Sequence, residues 1–220
     1  RGGSKGIKNK NIVNVANKPL ILHTIDLVKK LSFIKKIFVS TDDIKIKKIA
    51  LASGLEVITR PKQLATDKSN EWKSWQHAVK FLRKKKEKFD VFISLPVTSP
   101  LRTVNNIKKS IQLLRKNVDI VVTVTKSHRN PWFNMVKKDK NGYLKIVNNN
   151  KKKIFRRQDS PEVYDLTTLA YVTRPQFILE NRGIFDGKVK GLEVEKKRAL
   201  DIDDNYDLEI AKFFISKMSK

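Results

Sequence analysis

Three short stretches of the sequence hold residue types that could do chemistry together. The opening "RGGSKGIKNKN" combines glycine backbone with Arg1, Lys5 and Lys10. A glycine-rich turn leaves backbone N–H groups free to point at an anion, and the basic side chains can neutralise phosphate charge, which suits a triphosphate. The stretch is neither a G-x-x-x-x-G-K-[ST] loop nor a G-x-G-x-x-G fingerprint, and its glycine content also fits an ordinary solvated turn. Near the other end, "DIDD" sets Asp201 and Asp203 two residues apart, so on an extended segment both carboxylates point the same way. Such a pair of hard oxygen ligands suits Mg²⁺, which takes one or two protein carboxylates plus substrate phosphates. The alternative is that Asp204 caps the terminal helix and its neighbours are simply solvated. Between them lies "LPVTSPLR" with Ser99, which has no adjacent general base in sequence and gives no support to a serine-nucleophile mechanism. His23, His77 and His128 lie far apart in no metal-ligand spacing and read as packing or surface residues.

These residues need a scaffold. With 220 residues, 40% of them hydrophobic, the chain suits a single α/β domain with a real core. No apolar run approaches the roughly eighteen residues of a membrane span, and no signal-peptide pattern precedes the first motif. Cysteine is absent, which excludes disulfides, thiolate nucleophiles and zinc–thiolate sites and fits a reducing, cytoplasmic setting. The net charge of +26 would nominate a polyanion partner. The basic residues are mostly lysine and spread end to end, however, whereas base and phosphate recognition favours arginine's fork, so nucleic acid is not the expected partner.

The periodicity alternates strand and helix. Runs over Lys36 to Thr41, Leu55 to Arg60, Asp90 to Pro96 and Asp119 to Thr125 are β-branched and buried in character. A first helix is expected over about Lys18 to Leu31. Trp72, Trp75, Val79 and Leu82 fall at helical spacing, as do Val104, Ile107, Ile111 and Leu114 behind a Thr103 cap; both sets read as core. This order predicts a doubly wound, mostly parallel sheet of Rossmann-like type, with ligands beyond the carboxyl ends of its strands. From residue 127 to 164 the pattern changes to an Asn-Gly turn between short strand-like runs and then a basic stretch, an excursion within one domain spanning 1–220. The chain returns through "LTTLAYVT" and "KVKGLEVE" and closes with a helix whose Leu208, Ala211, Ile215 and Met218 share a face.

The ordered set "RGGSKGIKNKNI…NKPLI", "VSTDD", "RPKQLATD", "TSPLR", "FRRQD", "AYVT" and "DIDDNYDLEIA" resembles the acylneuraminate cytidylyltransferases, the CMP-sialic acid synthetases, through essentially the whole chain. The resemblance implies the nucleotide-diphospho-sugar transferase fold and synthesis of a CMP-sugar from CTP and a nine-carbon 2-keto acid of the sialic, legionaminic or pseudaminic type, with Mg²⁺ and release of pyrophosphate. It places Arg1, Ser4, Lys5 and Lys10 at the nucleotide phosphates with Asn11 beside them, Arg60 near the nucleotide, and Ser99 and Arg102 at the floor of the site. Asp201 and Asp203 become the metal pair, with Arg1, Lys10 and Asp203 as the catalytic set. Arg156 or Arg157 reaches the sugar carboxylate, in the same site or a partner's, since the resemblance also implies a homodimer joined through the excursion. Family chains begin with an apolar interior strand ending "PAR", so the resemblance further implies an N-terminally truncated chain whose sheet lacks one interior strand.

Two departures fall on the sugar side. Pro96 stands where the family usually has the glutamine of "LQPTSPLR", and Thr167 and Thr168 replace the Asn-Gly of "NGAIY" in the acceptor pocket. Nucleotide use is therefore better supported than N-acetylneuraminate as acceptor. The rivals are another sugar nucleotidyltransferase of the Kdo type, whose opening "ARYxSxRLPGK" differs from "RGGSKG", and a non-catalytic polyanion-binding protein on this fold.

Overall fold

The computed structural model describes residues 2–3, 6–148 and 154–218, the side chain of the last excepted. Arg1, Ser4 and Lys5 of the expected phosphate loop lie outside the described residues.

The chain begins with a hairpin of β1 (Asn14–Val15) and β2 (Lys18–Pro19), then α1 (Leu20–Lys29), β3 (Phe38–Thr41), α2 (Ile44–Ala52), β4 (Glu56–Thr59), α3 (Glu71–Lys84), β5 (Phe92–Ser94) and α4 (Val104–Leu113). It continues through β6 (Ile120–Lys126), β7 (Val136–Lys138), β8 (Leu144–Ile146), β9 (Tyr164–Thr173), α5 (Pro175–Glu180), β10 (Val189–Glu193) and α6 (Asn205–Met218). The first helix starts at Leu20 rather than Lys18 because Ala16 and Asn17, at φ 46° and 64°, form the left-handed two-residue turn of a tight hairpin. Thr103 caps α4 as expected, reinforced by Asn106, whose side chain accepts from the Thr103 backbone N–H.

The main sheet runs β10-β6-β9-β5, with β10 parallel to β6 and β9 antiparallel to both its neighbours. A parallel pair, β3 with β4, forms a separate ladder. Among the described residues no ladder joins β3 to β5, although Phe38 and Phe92 pack against one cluster and Ile37 and Ile93 against another.

Helices cover both faces. Phe92 of β5 packs with Trp72, Trp75 and Val79 of α3, whereas its neighbour Ile93 packs with Val28 beyond the middle of α1 and Ile107 of α4. Successive strand residues point to opposite faces, so this division places one helical layer on each side of the sheet. The excursion contains the β7–β8 hairpin, turned at Asn141 and Gly142, the latter at φ 87°. Among the described residues no helix is long and apolar enough to cross a membrane.

Candidate active site

The glycine-rich opening is held at both ends by acidic segments. Gly2 N–H donates to Asp42 Oδ1 at 3.0 Å, just past the carboxyl end of β3. Asp43 instead caps α2 by accepting from Ile46 N–H at 2.9 Å, which leaves Asp42 for the loop. At the other end Gly6 lies against the backbone of Asp203: a Cβ there would sit 2.1 Å from the Asp203 carbonyl oxygen. Only glycine permits that approach. Lys10, in a short 3₁₀ turn with half-buried Asn11, donates to Asp203 Oδ1 at 2.9 Å.

The alternation expected of "DIDD" is present. Ile202 is fully buried in a cluster with Ile7, Leu20 and Leu101, so Asp201 and Asp203 project to the other side. The segment is fixed by Ile202 N–H donating to the Thr98 carbonyl at 2.9 Å, which ties it to the turn after β5. Asp204 does cap α6, accepting from Asp207 N–H at 3.0 Å, while Asp207 accepts from the N–H groups of both Asp203 and Asp204. The cap and the carboxylate pair therefore coexist. Asp203 is 76% exposed at its side chain, and the buried Oδ1 of Asp201 has no hydrogen-bond partner among the described residues. An orphaned, inward-facing carboxylate oxygen beside an exposed one is a donor set that fits a hard divalent cation.

Arg60 follows β4 and donates through Nε to Ser40 Oγ at 3.2 Å and through a terminal nitrogen to the Ser40 carbonyl at 3.1 Å, placing it over the β3–β4 pair.

The "TSPLR" side is built differently. Arg102 is 2% exposed, donates to Thr24 Oγ1 at 3.2 Å and to the Pro96 carbonyl, and has its Nε unpartnered. Burial pushes its guanidinium down to about 9, opposed by the Asp201 charge, so it stays protonated at neutral pH. It braces the floor from within. Ser99 is fully buried, and its Oγ lies 2.6 Å from Thr168 Oγ1.

Thr168 reaches Ser99 because β9 is irregular. Its register against β6 jumps from Val122 opposite Tyr171 to Thr123 opposite Thr167, so residues 168–170 bulge out of the ladder. The Thr123 hydroxyl fills the bulge, accepting from Ala170 N–H at 3.2 Å and from Thr167 Oγ1 at 2.7 Å. Thr167 is thus buried against Thr123, and of the two threonines only Thr168 sits beside Ser99. In the excursion, Arg156 forms a two-pronged pair with Asp159, at 2.8 and 3.1 Å, and Arg157 donates to the Ser127 carbonyl at 2.9 Å. These hydrogen bonds of the two arginines stay within the excursion.

Asp42, Gly6 and Thr123 owe their places to contacts with residues distant in sequence, and no spacing rule would single them out.

A glycine-bearing segment past the carboxyl end of β3, closed against two carboxylates, is an arrangement suited to a phosphate chain and a nucleotidyltransferase. The chain belongs to the cytidylyltransferase family, whose model matches residues 1–212. It is 34% identical over 223 residues to post-translational flagellin modification protein B of Campylobacter coli, covering 99% of this chain and 92% of that one. It is also 34% identical to the CMP-N,N'-diacetyllegionaminic acid synthase of Campylobacter jejuni, over 98% of this chain and 92% of the relative. The N-acylneuraminate cytidylyltransferase of Streptococcus agalactiae is 30% identical over 94% of this chain, which spans 49% of that longer protein. Among solved structures, a CMP:2-keto-3-deoxy-manno-octonic acid synthetase with CTP superposes at a TM-score of 0.72 with 14% identity, covering 99% and 95% of the two chains. The 4-diphosphocytidyl-2C-methyl-D-erythritol synthase of Anaerococcus prevotii superposes at 0.67 with 18% identity, covering 94% and 93%. The expected family and fold are borne out.

Proposed function

We propose that this enzyme joins CMP from CTP to the anomeric hydroxyl of a nine-carbon 2-keto sugar acid and releases pyrophosphate. The observation that carries the reading is the contact of Gly6 and Lys10 with Asp203, which sets the anion loop directly against the carboxylate pair. The hydroxyl oxygen bonds to the α-phosphorus as the bond to the pyrophosphate oxygen breaks, and the hydroxyl proton passes to solvent water. Positioning and charge neutralisation are what such a displacement needs.

The loop N–H groups, Lys10 and, from the same loop, Arg1, Ser4 and Lys5 hold the triphosphate, and Arg60 binds on the β4 side. Asp201 and Asp203 would hold Mg²⁺, which supplies charge neutralisation at the phosphates when bound. Thr168 and Ser99 set the acceptor side. One relative at 34% identity is named a CMP-N,N'-diacetyllegionaminic acid synthase, which supports an acceptor of the legionaminic type.

The reading includes a homodimer through the excursion, where Tyr143, Leu144 and Phe155 are 70%, 63% and 79% exposed. Arg156 or Arg157 then reaches the sugar carboxylate of its own or the partner site.

The test of the activity is pyrophosphate release with Mg²⁺, CTP and a panel of nine- and eight-carbon 2-keto acids. Turnover with a nine-carbon acid is expected. Turnover confined to the eight-carbon acid, or none in a folded protein that binds CTP, would overturn the reading.

A further inference from the structure

Arg102, just before the cap of α4, and one oxygen of Asp201, after β10, are buried beneath the same part of the cleft. The segments that carry them are clamped together at two points. Arg198 donates through a terminal nitrogen to the Leu101 carbonyl at 2.9 Å, and Ile202 N–H donates to the Thr98 carbonyl, also at 2.9 Å. Leu101 and Ile202, the chain neighbours of the two charged residues, are buried in one cluster. Arg102 and Asp201 are thus brought near one another by bonds and apolar packing that do not involve their own charged groups.

Each has one polar atom left over. Both terminal nitrogens of the Arg102 guanidinium are engaged, one on Thr24 Oγ1 and one on the Pro96 carbonyl, while Nε has no partner. Asp201 Oδ1 has none among the described residues either. Both atoms are closed to solvent, so bulk water does not satisfy them. A guanidinium taken out of water is costly unless an opposite charge stands close, and among the described residues the charge that opposes the effect of burial on Arg102 is that of Asp201. The donor left on one side chain and the acceptor left on the other are complementary. An ionised carboxylate has about four lone-pair directions on its two oxygens, so a bond to one of them leaves both oxygens able to reach a cation.

We propose that Arg102 is a positioning residue for the metal pair, its Nε–H donating to Asp201 Oδ1 and fixing the carboxylate that faces the cation. Such bonds are commonly long before ligands arrive and tighten in the complex. The inference rests on the reading above of Asp201 and Asp203 as that pair. It makes the two carboxylates unlike: Asp201 is set from behind by a buried guanidinium, whereas Asp203 is exposed and pairs with Lys10.

The experiment reads melting and metal uptake separately in wild type, Asp201→Asn, Asp203→Asn, Arg102→Met and the double variant Asp201→Asn/Arg102→Met. Asparagine keeps the shape of aspartate without its charge, and methionine fills much of the arginine's space. Asp201→Asn should lower the melting temperature by about 5 °C or more, because it strands a buried guanidinium, with Asp203→Asn close to wild type. The loss in the double variant should be clearly smaller than the two single losses added. Uptake of Mn²⁺ alone, followed by the free-ion EPR signal, should weaken about tenfold or more in Arg102→Met although both carboxylates are intact. Should that variant not fold, Arg102→Lys, which keeps the charge and lacks the Nε donor, takes its place in the uptake measurement with the same expected direction.

An Asp201→Asn protein that melts at or above wild type, as relief of its repulsion with Glu71 alone would give, would overturn the pairing, and so would additive losses. Wild-type Mn²⁺ uptake in the arginine variant with only a lowered melting temperature would make Arg102 a support of the fold and overturn its role at the metal pair. A wild type that takes up no Mn²⁺ would overturn the metal-pair reading itself, and the positioning role with it.

Discussion

The two walls of the cleft are made of different chemistry. On the loop side one carboxylate is open and the other is half-buried: Asp203 faces solvent and pairs with Lys10, and Asp201 keeps a buried oxygen without a partner among the described residues. On the β5–β9 side polar groups spend most of their bonds inside the protein, Arg102 on Thr24 and Pro96 with only its Nε left over, Thr167 on Thr123, Ser99 on Thr168. Side chains bonded inside the protein hold backbone in place, whereas an exposed carboxylate such as Asp203 is open to a ligand. Substitutions on the first wall should therefore act on rate, and those on the second on stability or on the placing of a few atoms.

The sharpest test of that division is Arg102→Ala. It deletes a packed side chain and leaves the Pro96 carbonyl with only the long bond from Ser99 N–H, so folding stability should fall by about 3 kcal/mol. Urea unfolding measures this. Unchanged stability with a raised acceptor KM would place the guanidinium on the substrate and break the comparison.

Asp203→Ala is the counterpart on the open wall. Among the described residues the exposed side chain pairs with Lys10, a surface ion pair, so melting should barely change while turnover falls about 10²-fold or more. Retained turnover would remove the metal pair from the proposed function. Gly6→Ala comes next. Its Cβ would collide with the Asp203 carbonyl, whereas one at Gly3 meets nothing within 4 Å. Displacing the loop should cut kcat/KM for CTP by about tenfold, with Gly3→Ala close to wild type. Equal effects at both glycines would show that loop flexibility, not the contact with Asp203, is what matters.

The same contrast explains what the sequence could reveal. Period-two alternation made the shared side of Asp201 and Asp203 legible, since burying Ile202 turns both side chains away from its cluster, but not the partial burial of Asp201. Helical spacing likewise made the Trp72, Trp75, Val79 and Leu82 face legible, and all are buried. The β9 bulge was not legible, because it depends on the Thr123 hydroxyl of another strand filling the gap. That is why Thr167 and Thr168 look equivalent in sequence and differ in space. The β1–β2 hairpin escaped notice for a local reason: its turn uses Ala16 rather than the glycine or asparagine that normally signals positive φ.

Thr168 gives the smallest effect and probes the seam between the walls. Its hydroxyl meets Ser99, one residue beyond the Thr98 carbonyl that receives Ile202 N–H and so fixes the two aspartates. Thr168→Val keeps the shape and removes one hydrogen bond, worth about 1 kcal/mol net, or roughly a fivefold effect. If Thr168 chiefly faces the acceptor, that factor falls on the acceptor KM alone. If it chiefly latches the Ser99 turn, Ser99→Ala should reproduce the change and both should raise the Mg²⁺ concentration needed for half-maximal turnover. Steady-state kinetics with acceptor and Mg²⁺ varied separately distinguishes them, and an effect on neither would confine the threonine–serine pair to the frame.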